Sequence, residues 1–333
     1  MVPTLVRDVD KPPYVVDKNK LRRFDSKNTV SRRVAWDTSW QGYGRKYNER
    51  MLDVMAQGRS GYGALDFSLF DASMYLFKAL KGGREINYEP SPEATRVLWD
   101  EVKDRVIKEM KDSRALTSYV KKAAKIFGAS LVGVCKLNRD WLYADVELPG
   151  DYEYVVVMAV EMIPELVKLS PSALSAAATG IGFSKMTCLV ATLSKFIQNL
   201  GFKAIPSIND IALNIPLAID AGLGELGRNG LLVTPEYGPR VQLCKVFTDM
   251  PLESDRPIEF GVREFCKKCK KCARECEADA ISMDDEPSYE IKCKSNNPGA
   301  LKWYVDVEKC YLFWCENSSI CTTCIKVCPY SKV

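Results

Sequence analysis

Apolar residues recur at helical spacing in three stretches of the chain, with short β-branched runs between them. In 93–112 (EATRVLWDEVKDRVIKEMKD), Val97, Leu98, Val102, Val106 and Met110 share one side of an amphipathic helix. Leu116, Tyr119, Val120, Ala123, Ala124 and Phe127 form a second stripe, which Gly128 can close. Leu189, Val190, Leu193, Phe196, Ile197 and Leu200 form a third, closed by Gly201. The runs LVGVC (131–135), YVVVMAV (154–160) and VQLCKVF (241–247) read as strands. This alternation predicts an α/β or α+β layered fold. Residues 1–50 are polar, basic and interrupted by prolines, which predicts an extended arm with short elements. No apolar run approaches the roughly 18 residues of a membrane span, so no transmembrane helix is expected.

The pattern changes near residue 259. From Cys266 onward there is little periodicity, and ten of the 13 cysteines lie here. Three regions are therefore expected: 1–115, 116–258 and 259–333. The segment FCKKCKKCARECEADAI spaces Cys266, Cys269, Cys272 and Cys276 as C-x2-C-x2-C-x3-C. Cys310 follows, then Cys321, Cys324 and Cys328 in CTTCIKVCP. These are the spacings of bacterial two-cluster ferredoxins, in which the fourth cysteine of the run serves the other cube. Soft anionic thiolates suit iron–sulfide cubes. Cys266, Cys269, Cys272 and Cys328 are thus assigned to one [4Fe–4S] cluster, and Cys276, Cys310, Cys321 and Cys324 to a second. Cys293 and Cys315 are left over. A disulfide framework does not favour three cysteines at this spacing, and zinc sites close with four ligands from paired cysteines. Glu277 stands where a proline often follows the fourth cysteine.

Composition narrows the chemistry further. The chain has 333 residues and no histidine, so imidazole cannot ligate a metal, relay a proton or activate a nucleophile. A net charge of +4 gives no clustered basic face for nucleic acid, and no nucleic-acid partner is expected. The opening MVPTLVRDVDKPPYVV lacks a basic segment followed by an apolar block, so no export signal is read there. Cytoplasmic residence, or a mature form without its signal, follows as the expectation.

The stretch Thr179–Leu252 contains a GFSKM turn, the AIPS-N pair, the segment AGLGELGRNGLLVTPEYGPR and the strand CKVFTDMPL. With DSKNTVSRRVAWD near the start and KWYVDVEKCYLFW near the end, it resembles the corrin-binding core of respiratory reductive dehalogenases. The resemblance implies a nitroreductase-like α/β core with a ferredoxin-like two-cluster unit. It implies a cobalamin held base-off, without a protein histidine, and removal of halide from a small organohalide. An electron donor protein or quinol-linked donor and a small membrane-anchor protein are the implied partners, at the outer face of the cytoplasmic membrane. Asn209 matches the family's active-site asparagine and Arg240 the arginine of its GPR segment. Thr179, Gly227, Arg228 and Asn229 fall where the corrinoid is approached. Phe183 stands at the family's tyrosine proton donor and has no proton to give. Tyr237 and Lys185 are the candidate substitutes. The family continues beyond the last cluster motif, whereas this sequence stops at Val333, so a shortened member is expected.

Two other functions fit parts of this pattern. One is an epoxyqueuosine-reductase-like cobalamin iron–sulfur enzyme; the other is a non-catalytic electron carrier. Gly222, Gly224 and Gly227 spell G-x-G-x-x-G, but a helix precedes and an extended run follows, the reverse of a dinucleotide site. A glycine loop near the corrin fits better. The small-residue run SALSAAATGIG (172–182) suits either a flat macrocycle or tight helix packing. The basic run KKCKK reads as a solvated face or a docking patch for an acidic donor. Trp303 and Trp314 are read as core, and Cys135, Cys188 and Cys244 as buried thiols.

Overall fold

The three valine-rich runs pair with one another at the centre of the molecule. A computed structural model describes residues 2, 5–40, 43–74, 77, 78, 80 and 112–332, with backbone alone for 43–49. The helix expected over 93–112 lies outside these residues apart from Asp112. In chain order the strands are β1 (Arg7–Asp8), β2 (Leu131–Lys136), β3 (Tyr154–Glu161), β4 (Ala204–Ser207), β5 (Glu225–Leu226), β6 (Leu232–Val233), β7 (Val241–Thr248) and β8 (Ile258–Glu259). Four form a sheet in the order β2-β3-β7-β4, with every neighbour antiparallel and Val156 opposite both Val134 and Val246. The mixed helix-and-sheet fold is thus built on an antiparallel sheet.

Side chains alternate across the sheet, and both faces are covered. Val134, Val156, Met158, Val160, Cys244 and Val246 face the helices Ser113–Ile126 and Ala173–Asn199. Cys135, Val155, Val157 and Phe247 face Trp141, Leu142 and the helix Asn214–Asp220. Burial on both sides explains why β3 is an unbroken apolar run.

The third helical stripe is the second half of a much longer helix, Ala173–Asn199, capped by Ser172, whose hydroxyl accepts from the Ser175 amide. GFSKM is therefore helix interior, and the expected turn is absent: the glycines serve close approach instead. A Cβ on Gly180 would lie 1.9 Å from Ser73 Oγ, so the small-residue run packs tightly on the helix Ala64–Ser73. Ser184 Oγ also donates to the Ser73 carbonyl at 2.6 Å. By length and composition this helix is apolar enough to cross a bilayer, but most of that surface is buried against the sheet and neighbouring helices. Cys135 and Cys244 are buried as expected, whereas Cys188 is exposed, because it shares the polar side of the helix with Ser184 and Thr192.

The cysteine-rich region has few regular elements: the helices Val262–Cys269 and Val307–Asn317 and two single turns, Lys271–Arg274 and Thr323–Lys326. The N-terminal arm lies along it. β1 pairs with β8, Val16 bridges to Ala300, and buried Arg33 joins Asp37 (2.7 Å) to Glu308.

Gly133 in β2 tests the packing of the second face. A Cβ there would sit 2.1 Å from the Ala221 carbonyl oxygen at the end of the helix Asn214–Asp220. Gly133→Val is expected to cost about 1–3 kcal/mol through overpacking. Urea unfolding should show a lower midpoint at unchanged slope; an unchanged midpoint would mean that helix and strand are not held together this closely.

Candidate functional site

Folding brings the cysteines into two quartets. Cys266, Cys269, Cys272 and Cys328 line one small enclosed void together with Gly227, Arg228, Asn229 and Tyr330. Burial pushes the Cys272 thiol up to about 12, and the neighbouring Cys266, Cys328 and Cys269 push the same way. Cys328 rises to about 11, first through burial. In the second group Cys310 rises to about 12, through burial and then through Cys321 and Cys276. Burial also raises Cys324, with Cys310, Cys321 and Cys276 among its neighbours. Amides already point at this sulfur set: Ala280 N donates to Cys276 Sγ and Thr323 N to Cys321 Sγ, each at 3.4 Å. Among the described residues no group of three or more His, Cys, Asp or Glu is drawn together as ligands of a single ion. A cube spreads its four thiolates around a larger body. Thiols raised by burial and by their neighbours, as Cys272, Cys328, Cys310 and Cys324 are, need compensating positive charge nearby before they ionise.

A second site is a cavity of about 940 Å³, at the upper end of small-molecule pockets. Its walls come from β7 (Val241, Gln242, Leu243), the loop after β4 (Ile208, Asn209, Asp210), the β5–β6 hairpin (Leu226, Gly230, Leu231, Leu232) and aromatic side chains. Phe183 lies on this wall, its ring centroid 4.8 Å from that of Phe77. Tyr14 and Trp141 are pinned by one carboxylate: Tyr14 donates to Asp220 Oδ1 at 2.7 Å and Trp141 Nε1 to Oδ2 at 3.2 Å. Burial raises Asp220 to about 6 against these hydrogen bonds, which lower it. Tyr143 also lines the wall, its hydroxyl 3.5 Å from the Asn209 carbonyl oxygen, and burial pushes its phenol up to about 12.

Asn209 is oriented from behind. Lys245, wholly buried, donates to Asn214 Oδ1 at 2.5 Å and to the Ile208 carbonyl at 3.0 Å. Asn214 Nδ2 in turn donates to Asn209 Oδ1 at 2.6 Å. Protonated lysine has donors and no acceptor, so it sets the amide polarity of the chain Lys245–Asn214–Asn209. The Asn209 oxygen is engaged, and its NH2 is left as the donor for the cavity. Burial lowers the Lys245 pKa to about 8.

The sequence-derived residues divide between the two sites. Asn209 and Phe183 line the cavity; Arg240, Thr179, Tyr237 and Lys185 do not. Arg240 is buried and joins Glu161 (2.6 Å), the Met162 carbonyl (2.5 Å) and the Ser331 carbonyl (3.4 Å), tying the sheet to the end of the cysteine-rich region. Thr179 is buried within its helix. Gly227, Arg228 and Asn229 line the first thiolate void. Gly222 and Gly224 allow close backbone packing, with Cβ atoms 2.4 Å from the Arg256 carbonyl oxygen and 2.1 Å from that of Val233. Trp303 is buried, with Arg228 over its ring at 4.2 Å. Sequence reasoning missed Gln242, Tyr143 and the Lys245–Asn214 pair. For Lys245 the signal was present: it alternates with Leu243 and Phe247 and so belongs to an apolar face.

The hairpin between β5 and β6 is common to both sites. Residues 227–229 line the first thiolate void, and residues 230–232 line the cavity. Leu231 also packs in one apolar group with Cys324 of the second quartet.

Comparison with known proteins agrees with this arrangement. No family model matches the chain. It is 38% identical over 272 residues to the tetrachloroethene reductive dehalogenase of Sulfurospirillum multivorans, covering 71% of this chain and 54% of that protein. It is 37% identical over 298 residues to the enzyme of the same name from Desulfitobacterium hafniense, covering 86% and 53%. The epoxyqueuosine reductase of Lactococcus garvieae is 30% identical over only 154 residues, 44% of this chain and 40% of that protein. Among solved structures, a variant of a catabolic reductive dehalogenase superposes with a TM-score of 0.73 at 25% identity, covering 97% of this chain and 44% of the other. Another, described as suggesting a mechanism for B12-dependent dehalogenation, gives 0.75 at 24%, covering 98% and 44%. The chain belongs to the reductive dehalogenase family. It spans about half the length of the curated relatives it matches.

Asp220 links cavity architecture to pH. Its folded-state pKa of about 6 lies above the ordinary aspartate value of 3.8, so the folded state holds the proton more tightly. Its contribution to stability is complete at low pH and is lost as pH rises through about 6. Asp220→Asn is expected to flatten that decline in denaturant midpoint relative to the parental chain. Parallel curves for the two proteins would show that Asp220 is not held protonated by its surroundings.

Proposed function

We propose that the chain reductively dehalogenates a small organohalide: substrate, two electrons and one proton give the hydrogenated product and free halide. On this reading the 259–333 region is a ferredoxin-like unit with two [4Fe–4S] clusters. Cys266, Cys269, Cys272 and Cys328 hold one, and Cys276, Cys310, Cys321 and Cys324 the other. Residues 116–258 are a nitroreductase-like core, with 1–115 as an N-terminal region. A corrinoid in the large cavity, when bound, supplies the low-valent cobalt that attacks the carbon–halogen bond. The chain has no histidine to offer it, which favours base-off binding.

The observation that carries the proposal is the β5–β6 hairpin, with thiolates on one side of its turn and the cavity on the other. Electrons stored at the thiolate sites then need to pass only this short peptide. The chain's own residues do the rest. Asn209 presents an NH2 to the substrate or to the leaving group, held by Asn214 and Lys245. Phe77, Phe183, Trp141 and the apolar residues of β7 and the hairpin exclude water. Phe183 gives no proton, so protonation falls to Tyr143 or to water. Tyr143 keeps its proton at neutral pH. Arg32, Lys78 and Lys302 lie on the cavity wall together with Asp210, and Arg32 and Lys78 are paired with Asp145 and Asp71. A donor protein or quinol-linked donor would deliver electrons to the cysteine-rich side. A small membrane-anchor protein would hold the enzyme at the outer face of the cytoplasmic membrane.

Anaerobic reconstitution with iron, sulfide and cobalamin, followed by elemental analysis, tests the reading. About eight iron per chain are expected for two four-iron cubes, together with one cobalt. With a reduced low-potential donor and an organohalide, halide should be released. Eight iron without cobalt would leave an electron carrier and sink the catalytic claim. Phe183→Tyr restores a phenol to the cavity wall and is expected to raise the halide-release rate at least about tenfold, the low end of what a positioned acid contributes. An unchanged rate would mean that proton delivery does not limit turnover at this wall.

A further inference from the structure

Three buried donors without partners surround the first thiolate void. Arg228, only 1% exposed, uses Nε on the Cys266 carbonyl (3.0 Å) and Nη1 on the Ser282 and Asp284 carbonyls (2.8 Å each). Its ring-like face lies over Trp303, and Nη2 has no acceptor. Asn229, 7% exposed, has no acceptor for Nδ2, and Tyr330, 4% exposed, has no partner for its hydroxyl. All three residues line the void with Cys266, Cys269, Cys272 and Cys328. Tyr330 is held there by edge contacts with Phe260 and Phe265. Orphaned buried donors are individually costly, and each calls for a partner. The four sulfurs that line the same void, and whatever they bind, can accept.

We propose that Arg228, Asn229 and Tyr330 form a donor cage for the cluster of Cys266, Cys269, Cys272 and Cys328, and that this cage holds it at a less negative reduction potential than the second cluster. The inference rests on the cluster reading above and extends it to an order of potentials. Reduction adds a negative charge to the cluster, so a buried permanent cation and unpartnered N–H or O–H donors lining the same void favour the reduced form. The second quartet is served differently. Its contacts are neutral: the Ala280 and Thr323 amides donate to Cys276 and Cys321 Sγ at 3.4 Å each, and the hydroxyls of Thr323 and Ser170 lie 3.3 and 3.9 Å from Cys321 Sγ. The resting electron therefore sits on the caged cluster.

The test is a redox titration of the full reconstituted chain, followed by electron paramagnetic resonance, with iron measured in parallel. Two couples should resolve. Arg228→Met should move the less negative couple to more negative potential by at least a tenfold change in its equilibrium constant, about 59 mV for one electron, and leave the other in place. Tyr330→Phe, which removes one hydroxyl, should move the same couple by less. Eight iron with neither couple moved in either variant would overturn the inference and leave the cluster reading intact. No iron in the parental chain would overturn both. Should Arg228→Met lose iron because its stitching to residues 282–284 is lost, Tyr330→Phe decides: a shift of the less negative couple supports the cage, and no shift overturns it.

Discussion

Sulfur donors of like charge cannot be buried together without something between them, and this constraint organises the molecule. Burial and then neighbouring thiols raise Cys272 and Cys328 in one quartet and Cys310 and Cys324 in the other. The surrounding chain answers with fixed dipoles and one buried guanidinium as well as with apolar packing. This region accordingly has little helix and no sheet of its own, and it relies on turns whose amides point at sulfur. The rest of the protein supplies the rigidity that such a region lacks. Arg240 binds it to the sheet, and Arg33 binds it to the N-terminal arm.

The sheet has a complementary task. With both faces covered, β7 carries its apolar residues to the core at one end and to the cavity wall at the other. Placing a lysine in such a strand carries a large desolvation penalty, and Lys245 is wholly buried. The penalty is offset by carbonyl partners, and the outcome is a fixed direction for two amides that leads to Asn209.

Much of this was legible in the sequence because it rests on period and spacing. The strands at 131, 154 and 241 and the helix ending at Ile126 follow from β-branched runs and a 3.6-residue stripe. The first half of the helix Ala173–Asn199 was not legible, since Ala, Ser and Gly make no apolar stripe and its glycines read as breaks. The neighbouring helix at Ser73 explains Gly180, and Gln242 of β7 explains Gly182. The thiolate quartets follow from cysteine spacing, which is local. Arg228 and Asn229 were read toward a corrin, because a turn's two sides cannot be told apart in one dimension. Their neighbours at the thiolates come from 40 to 100 residues further along the chain.

The N-terminal arm has a consequence for how the molecule is made. Arg7 and Asp8 pair with residues 258–259, Val16 meets Ala300, and Arg33 meets Glu308. The arm thus finds its partners only after residues 258–308 have been made. The long closure costs little in final stability, because loop entropy grows only logarithmically with length. It does fix an order of events. Contacts on this flank form only between segments some 250 to 285 residues apart, so the local turns of the cysteine-rich region can form before the arm is fixed on it.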